Sequence, residues 1–264
     1  MDIARANDKR RAAELVAQMT VEEQALLLSG DGWWATHGIE RLGLPPIALS
    51  DGPHGLRRIR RNDSWGAGGS VPATCFPTAS ALSATWNTSL LREVGTALGR
   101  EAQAVDVQVL LGPGINIKRS PLGGRNFEYF SEDPLLSGRL AAAYIEGVQS
   151  EGVGTSLKHF AVNSQESERM ATSSDLDART LHEIYLSAFE IAVSEAQPWT
   201  VMSSYNLVNG TYASENRELL TDILRRDWGF EGLIVSDWGG INDRVAGVEA
   251  GNDLEMPGLS LIHI

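Results

Sequence analysis

A single cysteine, Cys75, among 264 residues leaves no partner for an intrachain disulfide and no thiolate set for a metal cage. In Thr74-Cys-Phe-Pro77 it has no acid–base partner close in sequence, which reads as a buried structural thiol. Basic charge is also scarce. Against 34 Asp and Glu stand 22 Lys and Arg, a formal net charge of −12. That balance argues against a nucleic-acid or anionic-membrane surface, because both are bound by clustered cations. The one dense basic run, Arg57-Arg58-Ile59-Arg60-Arg61, is short, lies near glycines and an Asp, and reads as loop charge. The five histidines are scattered without ligand spacing, so neither a metal nor another cofactor is expected. Long apolar runs are missing: nothing approaches the ~20 residues that span a bilayer. The opening Met1-Asp-Ile-Ala-Arg5 has no apolar signal core. A cytoplasmic chain without a membrane partner is expected.

What is present is alternation. Thr20-Val-Glu-Glu23 is a capping-box signal, and Gly30 closes the short helix after it. Strands are expected at Leu44–Ser50, Ser80–Ser83, Val107–Leu111, Thr155–Leu157, Thr200–Ser203, Leu233–Val235 and Asp253–Met256. Helical patterns fall between them, at Asn87–Ala104, Pro134–Gly147, Asp177–Ala196 and Asn216–Arg226. The alternation predicts an α/β fold, and the number of units favours a (β/α)8-like TIM barrel over a small open sheet. The apolar, uncapped ending Leu259-Ser-Leu-Ile-His-Ile264 continues no element, so the barrel is expected to occupy 1–258 and to be incomplete at its C-terminal end.

The polar residues fall at strand ends, where α/β folds place their ligands. Asp237 follows Leu233-Ile-Val-Ser and precedes Trp238 and two glycines. It can act as a nucleophile beside an indole platform, or simply cap the next helix. Asp51, in a tight Gly/Pro loop, suits a bidentate hold on vicinal hydroxyls or an ordinary Asp-Gly turn. Arg125 among glycines can reach inward as a rigid fork, or pair with Glu128. Lys158 at a strand tip can donate to hydroxyls or form a Schiff base. His159 is either a donor or a satisfied core histidine. Tyr205 can set its hydroxyl against Asp237, Met202 can line the wall, and Arg169 can bind substrate or pair within its acidic segment.

At these residues the chain resembles the catalytic barrel of glycoside hydrolase family 3, the β-glucosidase type. The segments that carry the likeness are Ser50-Asp-Gly-Pro-His-Gly-Leu-Arg57, Gly124-Arg-Asn-Phe-Glu128, Lys158-His-Phe160, Val201-Met-Ser-Ser-Tyr-Asn206 and Leu233-Ile-Val-Ser-Asp-Trp238. The resemblance implies a retaining, exo-acting enzyme that removes terminal β-D-glucosyl residues from small or oligosaccharide substrates. It implies that Asp237 is the nucleophile and that Tyr205 positions it. Asp51, Arg57, Arg125, Lys158, His159 and Arg169 would bind the innermost sugar, with Met202 and Trp238 at the pocket wall. Phe127 stands where the family often has Trp.

The family's glucosidases take their general acid/base from an α/β-sandwich domain after the barrel, which this sequence does not contain. A branch acting on N-acetylglucosaminides uses a His in the loop after Lys-His; here Phe160-Ala-Val-Asn-Ser-Gln-Glu166 has none. Impaired activity is therefore expected. A β-xylosidase or α-L-arabinofuranosidase specificity, an inert sugar-binding module and a Schiff-base aldolase at Lys158 are the competing readings.

Overall fold

The computed structural model describes residues 3–59 and 69–258. The tail at 259–264 and part of the basic run, Arg60 and Arg61, lie outside the described residues. Helices α1 (Ile3–Val16) and α2 (Val21–Leu27) lead into strand β1 (Leu49–Ser50). Thr20 caps α2 as a full capping box, its Oγ1 accepting from Glu23 N while Glu23 Oε2 accepts from Thr20 N. Helices α3 (Ala79–Ser83) and α4 (Thr88–Ala104) then precede β2 (Val109–Leu110), and α5 (Pro134–Ser150) precedes β3 (Gly154–Phe160). After β4 (Ser173–Ser174), one helical stretch runs through α6 (Ala178–Thr180), a π-helical turn Leu181–Leu186 and α7 (Ser187–Ala196). Strands β5 (Thr200–Ser203), β6 (Leu207–Val208) and β7 (Thr211–Tyr212) follow, then a π-helical segment Glu218–Asp227, β8 (Leu233–Ser236) and α8 (Arg244–Ala250).

Ser80–Ser83 is helix α3, not the expected strand. Its buried residues, Ala79, Leu82 and Ser83, are spaced three and four apart, which is helical spacing. A run this short does not declare its period until tertiary contacts choose a face.

Strands β1, β2, β3, β5 and β8 form one all-parallel sheet in that order. Their side chains alternate between two cores. Leu110, Leu157, Val201 and Ile234 face the helices; Leu49, Val109, Met202 and Val235 face inward, joined by Leu111, Leu254 and Met256. Both faces are therefore apolar, as parallel strands require. Beyond β8 the expected strand at Asp253–Met256 is reduced to a single bridge, Val235 to Leu254. Single bridges then run from Glu255 to Ser29, from Gly30 to Thr36 and from Ala35 to Ala48, beside β1. The result is a TIM-barrel-like α/β fold in which, among the described residues, five regular parallel strands form the main sheet. Its remaining side is spanned by isolated bridges.

Helices α4 and α5 cover the sheet, each set by its cap. Asn87 accepts from Leu90 N at 3.1 Å, and Asp133 accepts from Leu135 N at 2.8 Å, with Pro134 in the first turn. They approach so closely at Gly147 that a methyl group there would collide with the Arg92 carbonyl. Among the described residues no helix is long and apolar enough to cross a membrane.

Candidate active site

The C-terminal ends of the parallel strands surround a cleft of about 270 Å3. Asp237 stands at the tip of β8, where the chain turns through Gly239-Gly240. Lys158 and His159 come from the end of β3, at a register shift between Lys158 and Phe160. Met202 lies in β5 and Tyr205 just beyond it. Asp51 follows β1 in a turn where any side chain at Gly52, with φ of +115°, would strike the Gly55 carbonyl. Arg125, Arg169 and Trp238 complete the predicted residues that line this cleft. A larger depression of about 870 Å3 lies between residues 119–120 and 162–185, lined largely by hydroxyls and without the strand-tip carboxylate Asp237.

The carboxylate of Asp237 is buried. Its Oδ1 accepts from Trp238 N at 2.8 Å, while Oδ2 has no hydrogen-bond partner among the described residues. His159 Nε2 is 3.5 Å from that Oδ2. Burial pushes the Asp237 carboxyl above its ordinary value, with Arg125 and Lys158 pulling the other way. Burial and the charges of Arg125, Lys158 and Arg169 push the His159 imidazole well below its own, so it is neutral.

Lys158 Nζ lies 3.2 Å from Asp51 Oδ1 and 3.8 Å from Glu128 Oε2. For Asp51, burial works against the charge, yet the charge and hydrogen bond of Lys158 prevail and hold its carboxyl below the usual range. Arg125 does both things expected of it: it reaches the cleft and pairs through Nε with Glu128. Arg169 likewise pairs with Glu166 at 2.7 Å while its guanidinium sits 4.5 Å over the Tyr205 ring, a cation–π arrangement.

The Tyr205 hydroxyl lies against the Asp237 carboxylate, and it also donates to the Trp238 carbonyl, presented by the turn after β8, at 2.8 Å. Two expectations need correction. Arg57 is exposed and does not line the cleft. The glycine turn carries the chain back outward, so that Arg57 meets Asp51 through its backbone N–H at 2.9 Å. Cys75 is exposed, not buried, because its segment runs over the surface beside Gly55.

Sequence reasoning missed Trp33 and Trp34, which line the cleft from the segment before β1. Trp34 and Trp238 meet with ring centroids 5.3 Å apart, and Trp238 Nε1 donates to the Trp33 carbonyl at 2.8 Å. Two adjacent indoles in a Gly-flanked loop were the available signal. Also missed were the approach of Glu128, already expected beside Arg125, to Lys158, and Asn116. The Asn116 side chain accepts from His159 N and donates to His159 O, both at 2.8 Å, and so fixes that backbone.

A buried carboxylate ringed by cations, hydroxyl-binding groups and indoles suits a polar, uncharged ring compound. Among the described residues no group of three or more His, Cys, Asp or Glu is placed to hold a metal ion.

The thermostable β-glucosidase B of Acetivibrio thermocellus is 57% identical over 245 residues, covering 92% of this chain and 32% of that protein. An exo-α-(1→6)-L-arabinopyranosidase of Bifidobacterium breve is 52% identical over 244 residues, with 92% and 32% coverage. The chain thus spans about a third of the length of these curated relatives. The solved structure of β-glucosidase 3B from Thermotoga neapolitana with α-D-glucose superposes with a TM-score of 0.89 at 45% identity, covering 94% of this chain and 37% of that one. Residues 45–256 match the sequence model of the glycosyl hydrolase family 3 N-terminal domain, and the chain belongs to that family.

Proposed function

We propose that this chain is the sugar-binding and nucleophile-bearing barrel of a retaining, exo-acting β-glycosidase that releases terminal β-D-glucosyl residues. The observation that carries the reading is Asp237 Oδ2: shielded from water, without a hydrogen-bond partner, and at the floor of a cleft lined by Arg125 and Lys158. An oxygen so placed is available to attack an anomeric carbon as its bond to the aglycone oxygen breaks, giving a glycosyl-aspartate and the aglycone alcohol or alkoxide. Water then cleaves the ester to release the sugar. Asp51, Lys158, His159, Arg125 and Arg169 supply acceptors and donors for the ring hydroxyls. Met202, Trp34 and Trp238 supply apolar wall. The relatives named β-glucosidase support glucose as the sugar.

Retention needs a second carboxyl group roughly 5–5.5 Å from the first, as acid and then base. The other carboxylate lining the cleft is Asp51, which Lys158 holds ionised. It has no proton to give near neutral pH. The acid/base is therefore assigned to a group outside the described residues, and the described residues by themselves are expected to turn over ordinary glucosides feebly. General acid–base help is worth about 10²–10⁴-fold.

Incubation with a 2-deoxy-2-fluoro-glucoside bearing a good leaving group, followed by peptide mass spectrometry, tests the nucleophile. An adduct on Asp237 is expected; labelling at another carboxylate overturns the assignment. Azide rescue on an activated aryl glucoside tests the missing acid. Cellobiose turnover by this chain as fast as by a full-length relative would refute it. The arabinopyranosidase relative favours a second reading, an exo-acting arabinopyranosidase. Comparing kcat/KM on aryl β-glucoside and aryl α-L-arabinopyranoside separates the two.

A further inference from the structure

Along the cleft wall, five side chains form a hydrogen-bonded series whose proton directions follow from their chemistry. Arg169 Nη1 is 2.7 Å from Glu166 Oε2, and Asn163 Nδ2 is 3.3 Å from Glu166 Oε1. An ionised carboxylate only accepts, so the Asn163 amide must turn its NH2 towards Glu166. The same Nδ2 lies 3.1 Å from the Tyr129 hydroxyl oxygen, which therefore accepts from it. The Tyr129 proton needs another acceptor. His159 Nδ1, 3.0 Å away, is the only other partner of that hydroxyl among the described residues. Were Nδ1 to carry the proton instead, the phenol would accept twice and its own hydrogen would be stranded in the core, at a cost comparable to a lost hydrogen bond.

We infer that Tyr129, oriented by Asn163 and Glu166, is a positioning residue that locks His159 in the tautomer with its proton on Nε2. The His159 Nε2–H then faces Asp237 Oδ2, 3.5 Å away, and presents a fixed donor to whatever occupies the cleft. Tyr129, Asn163 and Glu166 do not line the cleft and act only through His159 and Arg169. Two features keep the relay in register. Asn116 fixes the His159 backbone from both sides, and Tyr129 meets the imidazole edge-on at 6.0 Å between ring centroids. The burial that keeps Tyr129 protonated also keeps His159 neutral, so neither end of the bond changes its role around neutral pH. In mechanistic terms the donor would steady the carboxylate before attack, or hold a sugar hydroxyl; that use rests on the glycosidase reading above, whereas the tautomer does not.

The test reads the tautomer directly. In the chain labelled with 15N-histidine, long-range 1H–15N correlation distinguishes a protonated, pyrrole-type ring nitrogen from a bare, pyridine-type one. His159 is expected to show pyrrole-type Nε2 and pyridine-type Nδ1, and the opposite pattern overturns the inference. Asn163→Leu removes the donor to Tyr129 without placing a second carboxyl beside Glu166, so the phenol can accept from Nδ1 as readily as donate to it. Exchange-averaged nitrogen signals are expected, and an unchanged pattern in folded N163L overturns the relay. Tyr129→Phe is the second variant: it frees the imidazole, and exchange-averaged nitrogen signals are expected. Retention of the wild-type pattern in folded Y129F would show that Tyr129 is not the lock. On an activated aryl glucoside, Y129F should lose roughly three- to tenfold in kcat/KM, the scale of one hydrogen bond between neutral groups. Should the chain prove inactive on every glycoside while the nitrogen pattern holds, the catalytic reading fails and the tautomer lock stands.

Discussion

Lys158 Nζ stands 3.2 Å from Asp51 Oδ1, an ion pair that ties the tip of β3 to the loop leaving β1. Lys158 is almost wholly buried, while the Asp51 side chain keeps 37% of its exposure. The pair is therefore open to solvent from one side only. Replacing Asp51 by Asn leaves the amine with Glu128 at 3.8 Å as its nearest anion. Losing one partner of a fully buried pair costs about 3–5 kcal/mol; the exposure of Asp51 reduces the expected loss to about 1–2 kcal/mol. The direction with pH is fixed by the lowered carboxyl. Its stabilisation is present above the ordinary Asp value and is lost as pH falls through the folded value. The melting-temperature gap between wild type and D51N should shrink on acidification. A gap that widens towards acid would contradict the assignment.

Asp237→Asn should separate stability from activity. Turnover of an aryl glucoside should fall by at least about 10³-fold, the scale of removing a nucleophile. The Asp237 carboxyl is raised in the folded state. Its ionised form therefore destabilises the fold increasingly as pH rises from the ordinary Asp value through the raised one. Near neutral pH the Asn variant should be more stable by about 0.5–2 kcal/mol, as when a strained functional group is removed. Below the ordinary Asp value the difference should vanish. Calorimetric melting across pH reads this, and an Asn variant less stable at neutral pH would refute it.

Trp34 offers a sharper pair of substitutions. Its Nε1 is buried without a hydrogen-bond partner among the described residues, while its ring packs against Trp238 and the inner core. Trp34→Phe should leave stability within about 0.5 kcal/mol of wild type, since no bond is lost. Trp34→Ala removes the packing and should cost roughly 2–3 kcal/mol, below the 3–5 of a fully buried Trp. Because Nε1 is buried away from the cleft, W34F should change KM only through the shape of the wall.

Gly147 lies far from the cleft, in the contact between α4 and α5. Gly147→Ala would press its methyl into the Arg92 carbonyl. A destabilisation of about 1–3 kcal/mol is expected, lowering the melting temperature by several degrees. Kinetic constants measured well below that temperature should not change.

The strand-tip residues Asp51, Lys158, Met202, Tyr205 and Asp237 were legible because parallel strands buried on both faces announce themselves as short apolar runs, and the polar residue that ends each run sits at the functional rim. Helix α3 was not, since four residues of mixed Ala, Ser and Leu satisfy either period. Arg57 misled because its motif is local while its exposure is set by the path of the loop. Trp33 and Trp34 were missed for a different reason: the paired indoles are visible in sequence, but their destination is not. Nothing within their own segment says that Gly30 will pair with Glu255 or that Trp238 will reach back to Trp33. The Glu166–Asn163–Tyr129 series was equally hidden, because it joins two loops through side chains that are individually unremarkable in sequence.

The hydrogen bond from Trp238 to Trp33 crosses 205 positions of sequence, and the bridge from Ser29 to Glu255 crosses still more. On the ribosome, helices α4 and α5 can find each other early, but the two leading indoles have nowhere to dock until Leu254–Met256 emerge. Contacts this distant are slow to form and leave apolar surface uncovered while they wait. The wall built by Trp33, Trp34 and Trp238 is thus complete only once Leu254–Met256 have reached the segment before β1.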